Sequence, residues 1–155
     1  MRAARRVALS DLDENERARL LAADVSAALA FLDERGHPRI VPCWFLWEDG
    51  AFHVTSVADK FHVRCLRRDP RASICVEVER VTAGRVRANR QVKAVGTVDV
   101  LADPDGTWTR RVREKYLRAA ALEDVAAARR DRVVLRLVPE RLSAHGGGIE
   151  MVDPA

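Results

Sequence analysis

Apolar positions along this chain fall mostly into short runs bounded by turn-forming residues. Residues 10–23 are the exception and read as a helix. Ser10 is placed to cap it, Asp13 sits three residues on, and Asp11 and Glu14 suit its positive end. Leu9, Leu12, Leu20 and Leu21 supply the apolar side. From Val25 the period shortens, and residues 25–32 read as a strand. Residues 33–38 form a turn around Gly36. Residues 39–47, rich in Ile, Val, Phe and Trp, are the next strand, and Asp49-Gly50 is a hairpin turn into a strand at 51–56. The first 56 residues therefore predict a helix and a three-strand meander.

A short helix at 59–68 stops before Pro70. Residues 72–79 alternate, with Ile74, Val76 and Val78 on one face. Residues 80–89 read as a basic loop around Gly84, and 91–101 as a long strand. Asp103-Pro104-Asp105-Gly106 breaks that strand, and 107–130 is helical in two pieces. The last strand, 131–138, is stopped by Pro139. The expected fold is mainly β with flanking helices: one domain over 1–155 in which six antiparallel strands form a small closed or split barrel over 25–138. Residues 145–155, with Gly146-Gly147-Gly148, are expected to be a flexible tail or to dock by their own side chains.

Composition narrows the class. With 155 residues, 48 % hydrophobic and 32 % charged, the balance is that of a soluble globular domain. No run approaches ~18 uncharged apolar residues, so no membrane span is expected. The basic start has no apolar core behind it, so no secretory signal is expected either. Cys43, Cys65 and Cys75 are odd in number and lack paired metal spacing, which suits a reducing cytoplasm. The net charge of +4 invites a nucleic-acid reading. Against it, 24 of the 27 basic residues are arginine in an Ala-rich chain, 23 acidic residues are interspersed, and the single Tyr leaves few rings for base stacking.

Motifs for nucleophilic, phosphate-loop and metallopeptidase chemistry are missing, and His37, His53, His62 and His145 have no ligand spacing. Two segments carry the remaining chemistry. In residues 54–71 a strand ends in Thr55 and Ser56, and a helix then opens with Lys60, His62 and Arg64. Hydroxyls, a helix start and basic side chains together suit a phosphate monoester; the plain alternative is a solvated basic helix face. In residues 39–47, Pro42 removes a ladder donor and marks an edge or bulge. Trp44, Phe45 and Trp47 beside it are either core or a wall for a flat ligand, and period two puts Trp44 opposite Phe45 and Trp47.

The order of these features resembles one family. Gly36, Pro38, Val41, Pro42, Trp44 and Phe45 are followed by Asp49-Gly50, Thr55-Ser56 and the basic helix of residues 63–71. That succession is similar to the pyridoxamine 5′-phosphate oxidase-like split β-barrel proteins, which bind flavin or deazaflavin. The resemblance implies a homodimer with a site at the subunit interface, and FMN or coenzyme F-420 as cofactor. It implies a hydride-transferring oxidoreductase acting on a small organic substrate, with a non-catalytic flavin-, haem- or bilin-binding protein as the alternative. Carried over, Val41, Pro42 and Trp44 flank the ring. Thr55 and Ser56 meet the ring edge, the ribityl chain or the phosphate. Lys60, His62 and Arg64 serve the phosphate, and Gln91 reaches the partner's cofactor. His62 stands where relatives usually have lysine, and Cys65 where they often have asparagine. The C-terminal vitamin B6-binding segments of the true oxidase are not found here. Arg85, Arg87 and Arg90 are either a groove for the polyglutamate tail of coenzyme F-420 or a solvated loop. For haem, His53 or His145 would be the axial ligand.

Overall fold

Local turn chemistry sets the first hairpins. Asp33 accepts hydrogen bonds from the backbone N–H groups of Arg35 and His37, both at 2.9 Å, and Gly36 has φ +78°. That turn joins β2 (Ala27–Leu32) to β3 (Pro38–Cys43). Asp49 and Gly50 both have positive φ, 50° and 71°, the pairing required by a two-residue type I′ turn. They join β4 (Leu46–Glu48) to β5 (Ala51–Val57).

The computed structural model describes residues 6–81, 86–118 and 131–150. Around the two hairpins lie β1 (Arg6–Asp11), α1 (Glu14–Ala22), α2 (Phe61–Arg68), β6 (Arg71–Val81), β7 (Val86–Ala102), α3 (Thr107–Glu114) and β8 (Arg132–Glu150). All strand pairs are antiparallel, in the order β3-β2-β6-β7-β8-β5-β4, with β1 also on β8. End strands β3 and β4 do not pair with each other, so the barrel is split.

The core fills the space the curled sheet encloses. In β2 burial alternates, with Ala27, Leu29 and Phe31 inward. They pack in one cluster with Phe52, Ile74, Val76, Val92, Leu135 and Leu137. Leu20 and Leu21 of α1 and Val63, Cys65 and Leu66 of α2 join the same cluster. No helix among the described residues is long and apolar enough to cross a membrane.

Several expectations change. The described residues contain eight strands rather than six. The meander does not form: among the described residues β3 pairs only with β2, and β4 only with β5. Phe45 between them is fully buried, and its backbone is held by Tyr116, which breaks the apparent strand at 39–47 in two. The first helix starts at Glu14 with Asp13 as its cap. The Asp13 carboxylate accepts from Glu16 N at 2.8 Å and Glu16 returns the bond to Asp13 N at 3.3 Å. Ser10 instead lies in β1, opposite Gly146. Of the tail expected over 145–155, residues 145–150 are strand, sandwiched between β1 and β7, and 151–155 lie outside the described residues.

Pro139 does not stop the last strand. A bulge lies between Val95 and Gly96: Gly96 faces Pro139, Val95 faces Arg141, and Glu140 is the extra residue. Strand pairing also replaces most of the basic loop at 80–89, with 82–85, and so Arg85, outside the described residues. The second helical piece expected before residue 130 falls on 119–130, also outside them.

Candidate functional site

The short β4 creates the site. It pairs with β5 only at Ala51, Phe52 and His53. Over residues 54–57, β5 keeps β8 on one edge and has no described strand on the other. That open edge faces a cleft of about 440 Å³. Val41, Pro42, Cys43 and Trp44 form its apolar side, with Leu29 behind them. Thr55, Ser56 and His62 form its polar side, and Arg113 and Arg132 add positive charge.

Six of the nine sequence-derived candidates, Val41, Pro42, Trp44, Thr55, Ser56 and His62, line this one cleft. Lys60, Arg64 and Gln91 do not. Lys60 is the exposed N-cap of α2. Arg64 turns away to donate to the Asp59 carbonyl, its guanidinium 6.0 Å from the Phe61 ring centre. Gln91 lies on β7, between Glu77 of β6 and His145 of β8.

Hydrogen bonding sets the character of the polar side. Ser56 Oγ and His62 Nε2 are 2.8 Å apart. Burial, and secondarily the positive charge of Lys60, hold the imidazole below its ordinary range. His62 is therefore a neutral donor or acceptor near pH 7, where a lysine would bring full charge. Burial also pushes the Cys43 thiol up to about 12, so Cys43 is a thiol wall atom and not a nucleophile.

The apolar side is braced from the turn that follows α3. The Trp44 ring stacks on Tyr116, with centroids 4.7 Å apart and planes 7° apart. Tyr116 Oη accepts from Phe45 N at 3.1 Å and lies within donating distance of the Val25 and Phe45 carbonyls, 3.0 and 3.2 Å. Lys115 Nζ donates to the Leu21 and Phe45 carbonyls and sits 3.5 Å from the Phe45 ring centre. Trp44, still 40 % exposed, is thus held in one orientation beside the cleft.

Sequence reasoning missed Arg113 and Arg132. Arg132 Nε donates to Thr109 Oγ1 at 3.0 Å, and that hydroxyl donates to Asp103 Oδ2 at 2.7 Å. Nothing local marks these two among 24 arginines.

The remaining candidates lie elsewhere. His53 is 3 % exposed and stacked on Trp108, with centroids 4.1 Å apart, and it does not line the cleft. His145 faces the Asp11 carboxylate at 3.0 Å. Neither imidazole offers an axial position in the cleft. Arg87 pairs with Glu79, and Arg90 with Glu16 at 3.0 Å, so acids of this chain already meet both.

Solved structures of the same fold include an F-420 reductase, 21 % identical, TM-score 0.63, covering 81 % of this chain and 94 % of that one. A FAD-binding protein from Mesorhizobium loti is 23 % identical, TM-score 0.64, with coverages of 91 % and 98 %. A FAD- and heme-binding protein from Mycobacterium smegmatis is 18 % identical, TM-score 0.67, covering 88 % of this chain and 71 % of that one. No curated protein matches the sequence. At these identities the structures establish the fold alone. The family model for pyridoxamine 5′-phosphate oxidase matches residues 5–146, from the N-terminal strand through nearly all of β8, and the chain belongs to that family.

Proposed function

We propose that the cleft beside β5 binds FMN or the deazaflavin coenzyme F-420, and that the protein is a homodimeric oxidoreductase acting on a small organic substrate. One observation carries this reading. One cleft on the open edge of β5 is lined both by the polar side chains of Thr55, Ser56 and His62 and by the apolar Val41, Pro42 and Trp44. A planar, mostly apolar ring with an anionic tail matches that division of the cleft. Solved proteins of this fold named for F-420, FAD and heme are consistent with it.

When bound, the cofactor supplies hydride acceptance or donation. The chain's own residues bind and orient. Val41, Pro42 and the braced Trp44 exclude water from one face of the site. Thr55 and Ser56 offer neutral donors at the end of β5, and His62 a neutral nitrogen beside them. Lys60 and Arg64, both exposed, add positive charge outside the cleft.

The homodimer is supported by the edge strand β3, where Ile40 is 72 % exposed on an edge with no described strand beside it. Gln91, which does not line its own cleft, fits a role across such an interface. Titration with FMN and with coenzyme F-420, followed by absorbance and fluorescence, tests the reading. Micromolar or tighter binding of either is expected, and binding of neither overturns it. Gel filtration with light scattering should give twice the chain mass.

A further inference from the structure

The cleft's own charge does not come from the basic helix that the sequence singles out. Lys60 and Arg64 stay outside the lining, and His62 is neutral. Two arginines from other elements line it instead. Arg113 lies in the last turn of α3, directly after the buried Val112. Arg132 starts β8, opposite Val57 in register, and so stands beside the end of β5 that carries Thr55 and Ser56.

Arg113 is partly withdrawn from water, and burial lowers the affinity of its guanidinium for its proton. No carboxylate among the described residues pairs with it. Its helix neighbour Arg111, by contrast, is paired with Glu48. A partly desolvated cation that no carboxylate among the described residues meets is costly unless an anion arrives. Arg132 is held in place through Thr109 and Asp103, which fixes the direction of its fork. Guanidiniums bind phosphate oxygens in pairs of parallel hydrogen bonds, so two of them converging on one cleft suit a phosphomonoester.

We propose that Arg113 and Arg132 are the anion clamp of the cleft and take the phosphate of the bound cofactor, with the hydrogen-bonded pair of Ser56 and neutral His62 supplying one further donor to the same group. The clamp deepens the functional reading above and rests on it for the identity of the ligand. It assigns phosphate binding to α3 and β8 rather than to the basic helix α2.

The test compares FMN with riboflavin, which lacks the phosphate, on the full chain by flavin fluorescence. Wild type should prefer FMN. Arg113→Ala should weaken FMN by roughly 10- to 100-fold, the range for one charge-assisted contact, and leave riboflavin within about twofold. Arg113→Lys should recover part of the loss, whereas Lys60→Ala should cost only a few-fold. Arg113→Gln, which keeps the aliphatic stem, replaces the alanine variant if that one melts early. An unchanged preference for FMN in these variants overturns the clamp and leaves the flavin site standing. Wild type that binds neither flavin overturns the flavin reading instead. The clamp is then judged with inorganic phosphate, which should raise the melting temperature of wild type and not of Arg113→Ala. No such difference overturns it.

Discussion

Ser56 Oγ and His62 Nε2 meet at 2.8 Å, tying the end of β5 to the first turn of α2 at the floor of the cleft. The contact works with a neutral imidazole, because burial and the Lys60 charge disfavour the protonated one. Folding therefore lowers the pKa of His62 from about 6.5. A group with a depressed folded pKa contributes stability that is fully present above its unfolded value and is lost as pH falls through the folded one. His53 has the same sign, from burial first and the Arg136 charge second. Asp69, held at about 2 by Arg71, titrates well below this window. The melting temperature should therefore fall between pH 7.5 and 5.5. His62→Gln, which keeps a hydrogen bond to Ser56 without titrating, should flatten part of that fall. Identical slopes for variant and wild type would contradict the assignment.

Removing the Tyr116 hydroxyl should loosen the wall of the cleft. Tyr116→Phe keeps the ring against Trp44 but leaves Phe45 N without its acceptor. The cost should be about 1–3 kcal/mol, read as a lower denaturant midpoint at unchanged slope. Flavin affinity should drop in the same variant even at temperatures where it is fully folded. A variant as stable as wild type would show that the bracing is incidental.

What the sequence revealed and hid follows from the range of the forces involved. The turns at Asp33 and at Asp49-Gly50 were legible because each is built by side chains and backbone a few residues apart. The wall and hydroxyl residues of the cleft were legible for a related reason, since Pro42 and the Thr55-Ser56 pair mark a strand edge and a strand end. The break between β3 and β4 was not legible: Trp44-Phe45 looks like more strand, and what interrupts it is Tyr116, 71 residues away. β1 was hidden because its order comes from pairing with the far end of β8. Arg113 and Arg132 were hidden because an arginine becomes special only through the acids it does or does not meet.

Asp103 organises the far side of the cleft. The residue is 3 % exposed, and its carboxylate accepts from Trp108 N, Thr109 N and Thr109 Oγ1 at 3.0, 2.9 and 2.7 Å. It thereby closes the first turn of α3, whose N-cap Gly106 has no side chain to offer. Asp103→Ala should cost about 2–3 kcal/mol from orphaned donors and the lost cap. Because Thr109 also holds Arg132, FMN affinity should fall more than riboflavin affinity. Thr109→Ser, which retains the hydroxyl, should keep both, and loss of the FMN preference in that variant would detach Arg132 from this relay.

The bulge at Gly96 gives the sharpest contrast between two glycines. A Cβ built on Gly96 would lie 2.0 Å from the Val138 carbonyl oxygen, a backbone atom that cannot swing aside. The strands approach so closely because β7 and β8 bend where Pro139 and the extra Glu140 disrupt the ladder. Gly50 is different: its φ is +71°, and open space surrounds the added atom. Gly50→Ala should therefore cost only the left-handed backbone penalty, about 1–2 kcal/mol. Gly96→Ala must displace main chain in the two longest strands, and should cost about 3 kcal/mol or more. Chemical denaturation of both variants at pH 7.5 decides the point. A Gly96→Ala protein no less stable than Gly50→Ala would mean that the two strands can part at the bulge without loss. The bend would then be a soft point rather than a fixed corner of the barrel.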